Sequence, residues 1–236
     1  MKSLLPLILI FFLASAGLHA QEDLLVWLNR SRLDLGLAEL REEGILSRTA
    51  REYALALLNS KWLSHRDAAG RTALERYRAQ GGTAVRIGEV IGAGASAGAV
   101  ARAWMESPGH REVILRPEWT HAGWGRAQAG ELRVWVILFT RQRVEGLRLR
   151  LEAGAYRLEG VLNCGEAGRP VLFSGLRLLE PERRQADTGA FVFLIPLQAG
   201  SLYHRLGSLD GEGRFTLACV FYPEKLLTSF PEREPR

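Results

Sequence analysis

The sequence predicts an α+β protein in two parts, a compact helix–strand domain followed by a small all-β domain. Three observations carry that prediction. Before Arg143, apolar residues recur mainly at helical spacing. Within that half, Leu132 to Phe139 (LRVWVILF) is a nearly continuous apolar run, the pattern of a strand covered on both faces. After Arg143 the pattern changes to period two, with turn residues between short runs. The expected division is an export signal over 1–20, the helix–strand domain over 21–143, the β-rich domain over 144–230 and a charged tail over 231–236.

The chain opens with Lys2, an apolar run from Leu4 to Leu13 and then small residues, the order of a secretory signal. That run is shorter than the roughly 20 residues a membrane span needs. Cleavage is expected after Ala20, where Gln21-Glu22-Asp23 begins a polar stretch, or after Ala16. A second apolar run of membrane length does not occur, so no integral span is expected once the signal is removed, and the destination is the periplasm or the exterior.

Leu24, Leu25, Leu28 and Leu35 predict a first helix, stopped by Gly36. Leu46, Ala50, Tyr53, Ala54 and Leu57 place an amphipathic helix over Gly44 to Ser60. A third helix, Ala97 to Glu106, starts at Ser96 as N-cap and ends before Pro108. Ser107 is placed to cap a following turn with Pro108 at its first position, which puts His110 in that turn. Strands are expected over Thr120–Ala127 and Glu131–Thr140, joined by Gln128-Ala129-Gly130. Beyond Arg143, strands are expected around Leu147–Leu151 and over Tyr156–Leu162, Val171–Leu179, Ala190–Leu197 and Arg214–Tyr222, as in a sandwich or barrel.

The net charge is +5, nearly all of the positive charge being arginine. The arginines are scattered singly, without the clusters or interleaved aromatics of a nucleic-acid surface, so nucleic acid is not an expected partner. They read as solvated surface, with an anionic envelope polymer or lipid headgroup as the partner a basic exported protein would meet. The two cysteines, Cys164 and Cys219, lie in the second half, and in an oxidising compartment an even pair points to one disulfide.

A set of ordered landmarks resembles the CAP superfamily, the cysteine-rich secretory proteins, antigen 5 and pathogenesis-related proteins. Leu28 to Arg32 followed by Gly36-Leu37-Ala38-Glu39-Leu40 is similar to the family's opening helix and its exit. Ser64-His65 with Gly70 resembles its S-H-x-x-x-x-G turn, and Gly88-Glu89-Val90-Ile91 its G-E-N-I. Trp104 to Leu115 resembles its W-M-x-S-P-G-H-R-x-x-I-L, and Gly123-Trp124-Gly125 its G-x-G strand. The resemblance spans about Glu22 to Arg141 and implies an α-β-α sandwich. The β-rich remainder carries no resemblance of this kind.

The resemblance also implies a cleft of two histidines and two acids, in some members with a divalent metal. His65, Glu89 and His110 match three of the four. In the animal and plant members the fourth, a Glu, stands three residues after the helix Trp; here Ser107 stands there and Glu106 comes one residue early, a rotation of about 100° on a helix. Two imidazoles and a carboxylate make a zinc site with an open position. The same residues also make a brace between loops, without any ligand. A lipid or envelope binding protein is the leading expectation. A metal-assisted hydrolase of peptide or glycan, or an interaction module working through the β-rich domain, are the alternatives.

Other residues are expected to have lesser roles. Ser96 sits in a G-x-S-x-G pattern but follows a Gly-rich loop instead of a buried strand, which favours the N-cap reading. His121 reads as a surface residue at a sheet edge and His204 as a loop residue. Trp62, Trp104, Trp119, Trp124 and Trp135 read as core and cleft wall.

Overall fold

The computed structural model describes residues 24–60, 62–163, 168–197 and 203–229. Helix α1 (Leu24–Leu33) is followed by a turn with Gly36 at φ +71°. Arg32, at its end, is fully buried. Its Nη1 donates to the carbonyls of Ile114 and Arg116 at 2.9 and 3.0 Å, and its Nε to that of Ala38 at 3.0 Å. Arginines were expected on the surface, but this one ties the first helix to the chain that follows the His110 turn.

The first sheet has the order β1-β3-β4-β2, with β1 (Arg41–Glu42) parallel to β3 (His121–Ala129) and the other pairs antiparallel. β4 (Leu132–Thr140) is its centre. Trp135, Ile137 and Phe139 pack on one face with α1, α4 (Ala97–Glu106) and α5 (Pro108–Ile114). Val134, Val136 and Leu138 pack on the other with α2 (Gly44–Leu58) and α3 (Ala73–Ala79). Successive residues of a strand point to opposite faces, so a strand between two helical layers has to be apolar throughout. The expected α-β-α sandwich is therefore the observed one.

The G-x-G strand is explained by this layering. A Cβ on Gly123 would stand 2.2 Å from the Ser47 nitrogen, and one on Gly125 2.1 Å from that of Arg51. The α2 backbone rests directly on β3 there. Helix α3, which the periodicity alone did not reveal, begins in a capping box: Thr72 accepts from the Glu75 amide and Glu75 reaches back to the Thr72 amide at 2.7 Å. Strand β2 (Ile87–Ala93) is the matching edge of the sheet. Ser96 caps α4 as expected, accepting from Ala99 at 3.2 Å.

The second part contains β5 (Val144–Glu152), β6 (Ala155–Leu162), β7 (Arg169–Ser174), β8 (Arg177–Leu179), β9 (Arg183–Arg184), β10 (Ala190–Pro196), β11 (His204–Leu209), β12 (Phe215–Phe221) and helix α6 (Pro223–Ser229). They form two four-stranded sheets, β5-β6-β10-β9 and β12-β11-β7-β8. Leu149, Leu158 and Phe193 of one meet Leu172, Leu206 and Cys219 of the other in a shared core. The Val220 amide bonds the Thr83 carbonyl at 2.9 Å, and Arg41 pairs with Glu145 at 2.7 Å, so both parts touch.

Three expectations need correction here. His204 lies in β11, not a loop, and is 2 % exposed against the Phe221 ring. His121 is buried at the start of β3, its Nδ1 2.9 Å from Thr120 Oγ1. Cys219 is a free, buried thiol where a bridge to Cys164 was expected, and burial pushes its pKa up to about 12. Cys164 lies outside the described residues.

Candidate functional site

Glu89 projects from β2 beside the loop that carries His65, and its side chain is only 6 % exposed. Both of its oxygens are engaged. Oε1 accepts from His65 Nδ1 at 2.8 Å, and Oε2 pairs with the Arg76 guanidinium. Arg76 is itself buried, 7 % exposed, and stacks 3.4 Å above the Tyr53 ring. Its Nη1 donates to the backbone carbonyls of Arg71 at 2.8 Å and His65 at 3.2 Å.

Sequence reasoning missed Arg76 and gave Tyr53 only a core role. The signal was present: Thr72-Ala73-Leu74-Glu75 is a capping box, and Ala73, Arg76 and Tyr77 share the helical face that turns inward. An arginine on that face needs a buried anion, and Glu89 supplies it.

The loop holding His65 is fixed from both ends. Tyr53 donates its hydroxyl to the Ser64 carbonyl at 2.5 Å. Asp67 accepts from the amides of Ala69 and Arg71 at 3.0 and 2.8 Å and from Arg71 Nε at 2.8 Å, and Gly70 takes φ +77° to close the turn. The His65 imidazole nonetheless stays 63 % exposed. Trp62, expected in the cleft wall, is 78 % exposed beside it, and Leu63 is 48 % exposed.

His110 sits in the first turn of α5, where Ser107 and Pro108 put it. Ser107 occupies the N-cap position, but its hydroxyl makes no cap bond and lies 2.9 Å from His110 Nδ1. The residue standing where the family's second acid would be thus orients the second histidine with a neutral group. Glu106 does not join the site. It is exposed at the end of α4, and among the described residues it makes no bond to His65, Glu89 or His110.

The two histidines are shifted in opposite directions. The hydrogen bond to Glu89 raises the pKa of His65 from 6.5, outweighing burial and the nearby Arg76 charge. Burial lowers that of His110, and the proximity of His65 adds to the effect. Of the two, His65 is therefore the ring that holds its proton to higher pH.

The expected zinc set of His65, Glu89 and His110 does not fit. Glu89 has no free oxygen, and a guanidinium sits against it. Among the described residues, three His, Cys, Asp or Glu groups placed to hold a metal ion do not occur. Glu89 instead orients His65, leaving each imidazole with Nε2 as the nitrogen not held at its Nδ1 partner.

Residues 27–139 match the family model described as the cysteine-rich secretory protein family, CAP. An uncharacterized protein of Bacillus subtilis (strain 168), YkwD, is 30 % identical over 128 residues, 53 % of this chain and 49 % of that protein. The chain thus spans about half the length of that curated relative. An uncharacterized protein of Borreliella burgdorferi is 25 % identical over 113 residues, 48 % of this chain and 72 % of that one. Among solved structures, an outer surface protein of Borrelia burgdorferi is 24 % identical with a TM-score of 0.48, over 50 % of this chain and 89 % of that one. An extracellular protein containing an SCP domain, from Bacillus anthracis, is 22 % identical with a TM-score of 0.45, over 50 % of this chain and 39 % of that one.

Proposed function

We propose that this protein, whose residues 27–139 are a CAP domain, is exported and binds an anionic, amphipathic component of the cell envelope through the surface around His65 and His110. The observation that carries the reading is the exposed His65 imidazole, whose protonated form Glu89 favours, flanked by exposed Trp62 and Leu63. A cation next to an aromatic and an aliphatic side chain suits a lipid headgroup with the start of its acyl chains. No described helix is long and apolar enough to cross a membrane.

Both Glu89 oxygens are occupied, so it is not poised as the general base that a hydrolase would need. Its part in binding is to hold His65 in place and to favour its protonated form. Co-sedimentation with vesicles tests this. The protein should pellet with phosphatidylglycerol vesicles and much less with phosphatidylcholine vesicles, and Trp62→Ala and His65→Ala should each weaken the first by about tenfold. Equal binding to both vesicle types, or no change in either variant, would refute the proposal.

A further inference from the structure

The two parts of the chain enclose a cleft of about 530 Å³ whose lining includes neither His65 nor His110. One wall belongs to the CAP domain, with Glu43 and Ile45 at the start of α2 and Tyr77 in α3. The facing wall is β5, which supplies five consecutive residues, Gly146 to Arg150. Successive side chains of a strand point to opposite faces. A run of five neighbours in one lining therefore means that the backbone edge of β5, and not a face of its sheet, fronts the cleft.

That edge is open. β5 stands at the end of its sheet and pairs with β6 alone. Ala153 and Gly154, at φ +45° and +83°, join the two strands, and the residues flanking such a two-residue turn, Glu152 and Ala155, exchange both backbone bonds. Alternation then turns the N–H and C=O of Arg150 and Arg148 toward β6 and those of Leu149 toward the cleft. Among the described residues, no other element bonds the Leu149 backbone, although the residue is only 9 % exposed. The remaining edges of the β-rich part are closed in other ways. β8 and β9 have three and two residues, and β12 meets the CAP domain through the Val220 amide and the Thr83 carbonyl. β5, with nine residues, is the long edge.

Further acceptors line the same cleft. Gln142 Oε1 is buried without a hydrogen-bond partner among the described residues, and the Glu43 carboxyl, desolvated by burial, takes the Leu46 amide on Oε2 alone. Both call for N–H donors. Leu149 points into the core that also holds Leu226, whereas Arg148 turns to the other face, where it is exposed. Its neighbour across β6, Glu159, lies 3.7 Å from Arg157. We infer that the cleft takes an extended peptide segment as an added strand on β5, an apolar residue opposite Leu149 and an acidic residue beside Arg148. The apolar residue's N–H and C=O bond the C=O and N–H of Leu149, and its side chain lies toward Leu226. A second copy of the chain fits this edge less well. Pairing β5 with itself about Leu149 sets Arg148 opposite Arg150, like charges face to face.

Titration calorimetry of the purified protein with the blocked peptide acetyl-Val-Glu-Val-Glu-Val-amide tests the assignment. Saturable binding is expected. N-methylation of the three valines removes their N–H groups but keeps their side chains, and it should weaken binding about tenfold. Replacing both glutamates by lysines should weaken it about fivefold, and Arg148→Glu, at an exposed position, should reverse that preference. The His65→Ala, His110→Ala variant should bind the peptide as the wild type does, which separates this site from the one proposed above. The assignment fails if no saturable binding occurs at millimolar peptide, or if the N-methylated peptide binds as tightly as its parent. It also fails if the lysine peptide matches the glutamate peptide, or if Arg148→Glu keeps the glutamate preference. A dimer in sedimentation together with no peptide binding would give the edge to a second copy instead. The peptide comparisons use the wild-type protein, so a misfolded variant does not blunt them.

Discussion

The two flanks of the histidine surface are built on different chemistry. On the His65 side, a carboxylate, a guanidinium and an imidazole form a chain from Tyr53 and Arg76 in the interior through Glu89 to solvent. On the His110 side, a single hydroxyl, Ser107, does the orienting from within the same turn. One flank is fixed by long-range charge and the other by one side-chain contact within a single turn. The difference implies that the His65 flank depends on the whole domain being folded, whereas the His110 flank depends mainly on one helix start.

The strongest way to break the comparison is to remove Arg76. Arg76→Ala leaves Glu89 buried without its main cation, and cutting one partner out of a buried pair costs about 3–5 kcal/mol. It also removes the two backbone bonds that hold the His65 loop. Thermal or urea unfolding should show a large drop in stability. The corresponding change on the other flank, Ser107→Ala, removes one hydrogen bond and should cost about 0.5–1.5 kcal/mol. A loss from Ser107→Ala as large as that from Arg76→Ala would erase the proposed asymmetry.

Glu89→Gln lies between these extremes. The amide keeps the shape and one acceptor for His65, but it leaves Arg76 buried without an anion. A loss of about 2–4 kcal/mol is expected, and the Arg76→Met, Glu89→Met double variant should recover part of it, because neither buried charge then remains. If the double variant is less stable than Glu89→Gln alone, the pair contributes more than mutual neutralisation.

The same asymmetry decides what the sequence made legible. The His110 turn was readable because its determinants are contiguous: Ser107, Pro108 and His110 sit within one turn. Even so, the hydroxyl that read as a helix cap bonds the histidine instead, a choice between two nearby partners that spacing alone does not settle. The Arg76–Glu89 pair joins residues 13 apart on a helix and a strand, and its only local trace was a capping box and an inward-facing arginine. Arg32, reaching across to Ile114 and Arg116, was likewise invisible to composition, which reads every arginine as surface. In the fold, β4 announced two covered faces by its apolar run, and Gly123 and Gly125 matched a pattern whose cause, the α2 backbone, appears only in three dimensions. The second part kept period two well enough to predict most of its strands. It hid β11, whose Gly207 and Ser208 interrupt the apolar pattern and whose His204 looks like a loop residue until it is buried.

The finest test of the comparison is titration, where the two histidines should move apart. In NMR spectra of the imidazole protons, His65 should titrate above 6.5 and His110 below it. The consequences for stability have opposite signs. His65 has its folded pKa raised, so its contribution is complete below 6.5 and is lost as pH rises through the raised value. His110 has its folded pKa lowered, so its contribution is complete above 6.5 and is lost as pH falls through the lowered value. The two together place a shallow stability maximum near the unperturbed value, with His65 responsible for the alkaline slope and His110 for the acid slope. Glu89→Gln should bring the His65 midpoint down and flatten only the alkaline slope. Ser107→Ala should leave that slope intact, because burial and the neighbouring His65, not the serine, set the shift of His110. If His110 instead titrates above His65 in the wild-type protein, the proton sits on the hydroxyl-held ring, and the charged and neutral flanks must be exchanged.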